Sequence, residues 1–524
     1  MKSKKALVNA IYGMVGYIIL MVTNLVTRSF LVRTLQLDLA GVDTVFKNFL
    51  SFLSLAELGL STGLIYKLYD PILQDNKIEI KKILNFYKQA YKIISLVFMS
   101  GAVVFACLTW VAIKEFNPIY LGILFMLYAG DTVASYLYAN RKALIIADQR
   151  NYIVSRNDAL ISIGSMVVQV GCLLYLPSIL PINRYVSFII FAAVKIVCRI
   201  IGALFIGRKF KQLYPDIYAD KSTDTISKPE RKALYKNMSA MLMHRIGAVS
   251  VTASGSAIVS GFKDVKMAGV YGNYMIIVNA LNMMLAQIFN GVTASFGQLS
   301  VSSDREQVQK KFNLLYFTNF LIMAFFTTSF AVIVQPFIKV WIGDNAENLF
   351  PDTTVFLLCA YIYISGIRRV IIMAKDSAGL FRPDRYLALL EATINIVLSI
   401  ILINVLGVAG LIIANFVSML IVPLWSQPYL VFKYVLQNLK KFKFYYLRYV
   451  IYIAAAAGEM FLTFYLAKTF IDPHLTNIFL NLLVRVVLCV IVPNVINLVL
   501  FFKTSEMKDL LQTVKQILQS FKKA

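Results

Sequence analysis

VNAIYGMVGYIILMVTNLVTRSFLV, residues Val8 to Val32, is a nearly unbroken apolar run with Lys2, Lys4 and Lys5 before it and Arg33 after it. A helix rises about 1.5 Å per residue, so roughly 20 apolar residues cross a hydrocarbon core of about 30 Å. This run is long enough. It is too long for the apolar core of a secretory signal, and it ends at Arg28 and Arg33 without a small-residue cleavage site, so it is expected to remain as a first span. Asn9, Gly13, Gly16, Thr23 or Asn24, and Thr27 or Arg28 recur on one face of it, a polar stripe inside an apolar helix.

The same ruler carried outward gives about fourteen spans. They run near 8–32, 42–69, 88–113, 118–139, 153–177, 184–207, 238–262, 268–299, 313–338, 353–374, 387–405, 408–432, 449–470 and 477–502, with the narrowest break at Val405-Leu406-Gly407-Val408. Composition agrees with an all-α polytopic membrane protein: 524 residues, 59% hydrophobic and 15% charged, where soluble domains sit near half apolar and a quarter charged. The net charge of +25 does not indicate nucleic acid, because the bases fall between apolar runs and are not gathered on a folded face. Cys107, Cys172, Cys198, Cys359 and Cys489 lie within apolar segments at no ligand spacing, so neither a disulfide framework nor a metal site is expected.

Lysine and arginine collect in alternate loops, which sets both termini in the cytoplasm under the positive-inside rule. The chain is expected in the cytoplasmic membrane. Its longest cytoplasmic loop, Arg208 to Asn237, is basic and divides the chain near the middle. Lys5-Ala6-Leu7 recurs as Lys232-Ala233-Leu234, and Leu39-Ala40-Gly41-Val42 is echoed by Met267-Ala268-Gly269-Val270. Two echoes at nearly one offset favour paired six-helix bundles. The expected organisation is an N-terminal lobe over 1–210, a basic linker over 211–237, a second lobe over 238–435, two extra spans over 447–502 and a tail over 503–524. In that tail Leu510, Leu511, Val514, Ile517, Leu518 and Phe521 recur at helical spacing among lysines, a pattern for a helix lying on an anionic leaflet or for a solvated tail helix.

Catalytic signatures are lacking: the histidines are His244 and His474, and no paired-histidine motif, phosphate-cradling loop or nucleophile elbow occurs. No cofactor is expected. Charges inside spans carry more information, since each costs about 2.5 to 3.5 kcal/mol at a helix centre on insertion scales and tends to face a cavity or a partner. Arg28, Lys195, Arg199 and Arg245 lie well inside spans; Lys47 and Lys67 lie near span ends and can snorkel. Lys195 and Arg199 are one turn apart on one face. Glu57, Asp131, Glu391 and Glu459 are acids within spans. Each acid can instead neutralise a nearby base and lock two helices together, but bases outnumber acids. That excess suggests an anionic cargo. Asn279, Asn282, Asn290 and Thr293 form a polar stripe in the eighth span, suited to sugar hydroxyls or to helix-to-helix contacts.

Arg33-Thr34-Leu35 through Val42, then Leu53-Ser54-Leu55-Ala56-Glu57-Leu58-Gly59-Leu60-Ser61-Thr62-Gly63, resembles the first hairpin of Wzx-type polysaccharide flippases. These are the O-unit, capsule and teichoic-acid transporters of the multidrug/oligosaccharidyl-lipid/polysaccharide exporter superfamily. Gly379-Leu380-Phe381-Arg382-Pro383-Asp384-Arg385-Tyr386 and Glu391-Ala392-Thr393-Ile394-Asn395-Ile396 resemble their second-lobe signature. The resemblance implies a two-lobed, MATE-like V-shaped fold and alternating access. It also implies a cargo, an undecaprenyl-pyrophosphate-linked oligosaccharide, with membrane lipids and a polymerase or export complex as partners and a monomeric state. On this reading Arg28, Lys195, Arg199 and Arg245 hold pyrophosphate, Asn279, Asn282 and Asn290 contact sugars, and Glu57 and Asp131 serve coupling or gating. A proton, sodium or the membrane potential would drive the cycle. The rival readings are a MATE-type exporter of organic cations and a membrane polymerase; short outside loops, the longest from Lys339 to Asp352, count against the polymerase.

Overall fold

The computed structural model describes residues 2–57, 60–301, 304–343, 349–378, 380, 383 and 385–523, with the backbone alone at 2–11, 55–56, 60–63, 232–245 and further positions that include Asn290. No strand occurs among the described residues. Contacts divide the chain into two units, Met1–Gly272 and Asn273–Ala524. The first is built from α1 (Lys2–Leu53), α2 (Leu60–Leu73), α3 (Lys77–Ala112), α4 (Pro118–Tyr136), α5 (Ala139–Ala147), α6 (Asn151–Ile179), α7 (Arg184–Leu213), α8 (Pro215–Ala219), α9 (Lys228–Phe262) and the start of α10 (Val265–Val301). The second continues with α11 (Arg305–Ile342), α12 (Asp352–Ile367), α13 (Arg369–Ser377), α14 (Arg385–Leu406), α15 (Val408–Ile421), α16 (Pro423–Leu430), α17 (Phe442–Leu466), α18 (Ile478–Phe501) and α19 (Ser505–Lys523).

Twelve stretches of the described chain are helical, long and apolar enough to cross a membrane. The first of them counts twice. At 52 residues, α1 would reach about 78 Å, and it is broken at Gln36, where φ is 72° and ψ is 174°. A non-glycine residue at positive φ costs about 1 to 3 kcal/mol, so its surroundings must hold it. Arg184 does so from the start of α7, donating to the Gln36 carboxamide oxygen at 2.8 Å and pairing with Asp38 at 2.8 Å. Asp38 in turn accepts the Leu39 amide at 2.8 Å, at the start of the second arm of α1. With α9, whose apolar part is Val249–Phe262, the passes number about fourteen.

The structure interrupts several of the expected spans: 353–374 breaks at Arg368 between α12 and α13, 408–432 breaks at Val422 between α15 and α16, and the second span breaks most sharply. The second span is not one unbroken helix: it turns through a tight 3-10 segment at Ser54–Glu57 before α2 begins at Leu60. Ser51 and Ser54 donate to the Lys47 and Ser51 carbonyls at 2.9 and 3.0 Å, the back-bonding that bends helices. The narrow break at Gly407 is real. Gly407 takes φ 62° between α14 and α15, and a Cβ on Gly410 would lie 2.2 Å from the Leu402 carbonyl oxygen. Most of the Gly379 to Arg385 signature, and the side chains of Lys232-Ala233-Leu234, lie outside the described residues.

The echoed segments meet. A Cβ on Gly41 would lie 1.9 Å from the Val265 carbonyl oxygen, and one on Gly269 would lie 2.4 Å from that of Leu37 and 3.1 Å from the Gly41 nitrogen. Only glycine lets these two helices approach so closely. Arg28 seals the crossing by donating to the Ala40 and Gly269 carbonyls at 2.7 and 3.0 Å.

The division between units falls after the expected 211–237 linker because α9 packs along α1 and α3. Asn48 donates to Ser256 at 2.5 Å and Ser260 donates to the Ala112 carbonyl at 2.5 Å. The linker itself is fastened to α3. Lys77 pairs with Asp216 at 2.6 Å, Lys81 donates to the Ile217 and Asp220 carbonyls, and Asn85 donates to the Ser222 carbonyl at 2.7 Å. At the start of α9 the Ser227 hydroxyl and amide donate to Glu230, and with Lys67 at 3.1 Å they hold that carboxyl below its ordinary range.

In the second unit α11 is the centre, packed by α12, α17 and α18. The last two spans are therefore part of the core of this unit. Phe320 stacks on Tyr452 with centroids 4.3 Å apart, and Phe501 meets both edge-on at 5.3 and 5.9 Å. The tail helix α19 is tied back by Arg448–Glu506 at 2.8 Å and Lys310–Asp509 at 3.2 Å, with Met507 buried.

Candidate functional site

A 440 Å³ cavity opens among α1, α4, α6 and α7, entirely within the first unit, a size that suits a small ligand group. Three of its walls are polar for local reasons. Thr23, Asn24 and Thr27 come from the stripe of the first span. Facing them, Asn157, Asp158, Ser162, Ser165 and Gln169 form a helical stripe on α6. Thr23 and Ser162 hydroxyls lie 2.6 Å apart, and Gln169 donates to the Phe191 carbonyl at 2.9 Å.

The charged wall has a repeated construction in which one buried aspartate is shared by two bases. On α4, Asp131 accepts Arg199 through both oxygens at 2.9 and 3.1 Å, and Lys195 approaches it at 3.1 Å. On α1, Asp43 accepts Arg28 at 3.1 Å, Lys47 at 2.8 Å and the Tyr128 hydroxyl at 2.7 Å. A third carboxylate, Asp158, pairs with Lys142 at 2.8 Å. Five bases thus meet three acids, and they are placed unequally. The Asp43 and Asp131 side chains are 4% and 9% exposed, whereas Lys47, Lys195 and Arg199 are 45%, 39% and 31% exposed. The carboxylates lie in the wall and the cations form its surface. Such a surface attracts anions, and in a partly dry cleft each contact counts for more than in water.

Of the residues singled out from sequence, Lys195, Arg199 and Asp131 come together at this cavity. Arg28 sits behind the wall, 3% exposed, and its donors are spent on Asp43 and two carbonyls. Glu57 is half-buried in its turn and is not a lining residue. In the second unit Asn279 is exposed, while the Asn282 carbonyl accepts Arg369 at 3.4 Å. The side chains of Arg245 and Asn290 lie outside the described residues. Sequence reasoning named Lys47 as a snorkelling residue and did not single out Asp43, Tyr128 or the α6 stripe. The stripe was available as a signal, since Asp158, Ser162, Ser165 and Gln169 recur every three or four residues within an apolar span.

No family model matches the chain, and no curated protein matches it in sequence. Solved structures do. The chain superposes on a lipid II flippase, MurJ, in an inward closed conformation with a TM-score of 0.65 at 12% identity, covering 96% of this chain and 100% of that one. It has the fold of these transporters. An inward-facing multidrug resistance transporter of the MATE family and MOP superfamily gives a TM-score of 0.56 at 11% identity over 79% of this chain and 97% of its own. The outward-facing form of a transporter of that description gives 0.51 at 13% identity over 80% and 94%. At such identities the likeness concerns the fold: this is a multi-pass helical membrane protein built on the flippase and multidrug-transporter plan.

Proposed function

We propose that the protein is a flippase that carries an undecaprenyl-pyrophosphate-linked oligosaccharide from the cytoplasmic to the outer leaflet of the cytoplasmic membrane, with both termini in the cytoplasm. The observation that carries this reading is the wall of Lys47, Lys195 and Arg199, exposed to the cavity over buried aspartates. Pyrophosphate exchanges with Asp131 for Lys195 and Arg199, so binding releases two ion pairs as it makes new ones. That near balance lets the cargo leave on the far side. Hydroxyls and amides of α1 and α6 face the sugars. The fold likeness supports the same reading, since it spans 96% of this chain for the lipid II flippase and 79% for the multidrug transporter. Against an organic-cation cargo stand the carboxylates of the lining, Asp43, Asp131 and Asp158, all paired with bases. Arg245 remains a proposed contributor from its position in the seventh span.

The test is export of the surface glycan by cells carrying Lys195→Ala or Arg199→Ala. Each substitution removes a charge-assisted contact of about 1.5 to 3 kcal/mol, so export falls roughly 10- to 100-fold while membrane abundance stays within twofold. Normal export by both variants overturns the reading; loss of resistance to cationic drugs in a deletion strain, with glycan intact, replaces it with the multidrug one.

A further inference from the structure

A second cavity, of 210 Å³, lies in the second unit between the first turns of α11 and α17. Lys441 and Arg448 stand at it, Gln309 and Asn313 line one side, and the rest is aromatic, with Tyr316 and Tyr445 the polar members. Of the buried polar atoms of this lining, the Gln309 carboxamide oxygen makes no hydrogen bond to the protein, and the Tyr316 and Tyr445 hydroxyls have only each other. Their residues are at least nine-tenths buried. Buried polar groups without partners are costly and mark places where a ligand supplies the missing bonds. Arg448 is partly exposed and bound to Glu506 of the tail helix at 2.8 Å.

The sequence around the cavity points to the ligand. Phe432 to Arg448 reads FKYVLQNLKKFKFYYLR, with Lys433, Lys440, Lys441, Lys443 and Arg448, and no acid. A cluster of bases beside the end of a membrane helix, interleaved with aromatic rings that sit at the headgroup level, suits an anionic lipid. We infer that this cavity binds the headgroup of an anionic phospholipid bearing hydroxyls, of the phosphatidylglycerol class. Its phosphate takes Lys441, Arg448 and the tyrosine hydroxyl donors, displacing Glu506, and a headgroup hydroxyl donates to the Gln309 oxygen. The acyl chains stay in the bilayer. The groups facing the phosphate are these two bases, with Glu506 as the competing anion.

The purified full-length protein is titrated with dioctanoyl phosphatidylglycerol, dioctanoyl phosphatidylcholine and inorganic phosphate while its melting temperature is followed. Saturable stabilisation by phosphatidylglycerol at concentrations at least tenfold below phosphatidylcholine is expected, weakened at least tenfold in Lys441→Gln/Arg448→Gln. Tyr445→Phe keeps the packing and loses one donor, so binding weakens about fivefold. Glu506→Gln removes the competitor and tightens it. Equal response to both lipids, or an unchanged response in the double and Tyr445→Phe variants, overturns the assignment. Inorganic phosphate matching the full effect overturns the lipid as its source. Neither probe nor readout involves the glycan, so failure here is separate from failure of the transport reading.

Discussion

The two units bury charge in different ways. In the first, Asp43 and Asp131 each hold two bases at the edge of an open cavity. In the second, away from the cavity at Lys441 and Arg448, buried charges are matched singly or answered by amides. Arg368 lies 4.0 Å from Glu391 and donates to Gln427 at 3.1 Å. Arg485 is bound to Asp472, Asn481 and the Val332 carbonyl. Glu459, fully buried, accepts Asn497 at 3.1 Å. Around these groups the second unit is filled with stacked rings. One unit keeps cations in surplus over wet space, and the other uses polar pairs to lock helices. On the proposed function, the difference separates charge that would meet cargo from charge that holds the fold.

The strongest way to break that contrast is at Asp43, which belongs to both categories because it anchors buried Arg28 and exposed Lys47. Asp43→Asn leaves the Arg28 guanidinium without a carboxylate at 3% exposure, and stability should fall by about 3 to 5 kcal/mol. Thermal unfolding in detergent reads this directly; a melting temperature within a degree of wild type means that Arg28 is not held by charge. Next in size is a matched glycine pair. Gly269→Ala puts a methyl against backbone, 2.4 Å from the Leu37 carbonyl oxygen, while Gly366→Ala meets the end of the Met323 side chain at 2.2 Å. Methionine can swing aside and backbone cannot. The first substitution should cost about 1 to 3 kcal/mol and the second well under half of that. Equal melting shifts would sink the assignment of a rigid crossing to the first unit.

Legibility followed the same line between helices and their partners. Apolar length alone gave the spans, down to the break at Gly407, because the bilayer imposes one ruler on every crossing. The repeat Leu39-Ala40-Gly41-Val42 and Met267-Ala268-Gly269-Val270 was visible, but that its two copies touch was not, since periodicity does not say which helices are neighbours. Arg28 read like a lumen cation for the same reason. Depth in the membrane is written in the sequence, and facing depends on Asp43, 15 residues away beyond the break at Gln36 and outside any short-range pattern. Lys47 shows the converse error: it was set aside as a snorkelling residue, and the structure puts it on the cavity wall. Lys195, Arg199 and Asp131 were legible because two are one turn apart and the third is the acid of the neighbouring charged span.

The contrast sharpens at two carboxylates that differ in company. Asp131→Asn frees Lys195 and Arg199, so the purified protein should bind inorganic pyrophosphate about tenfold more tightly, roughly 1.4 kcal/mol, while export slows because release is harder. Weaker binding would mean that Asp131 orients the bases and does not compete with the ligand. Glu459→Gln is the smallest change. Its side chain accepts the Asn497 amide through one oxygen, and the other oxygen makes no hydrogen bond to the described residues. A neutral glutamine of the same shape presents an oxygen to that amide as the carboxyl does, so stability should move by less than about 1 kcal/mol. Export should be unchanged. A large loss of either would show that Glu459 carries a charge that the fold or the transport cycle needs, and the helical core of the second unit would then hold functional charge as well.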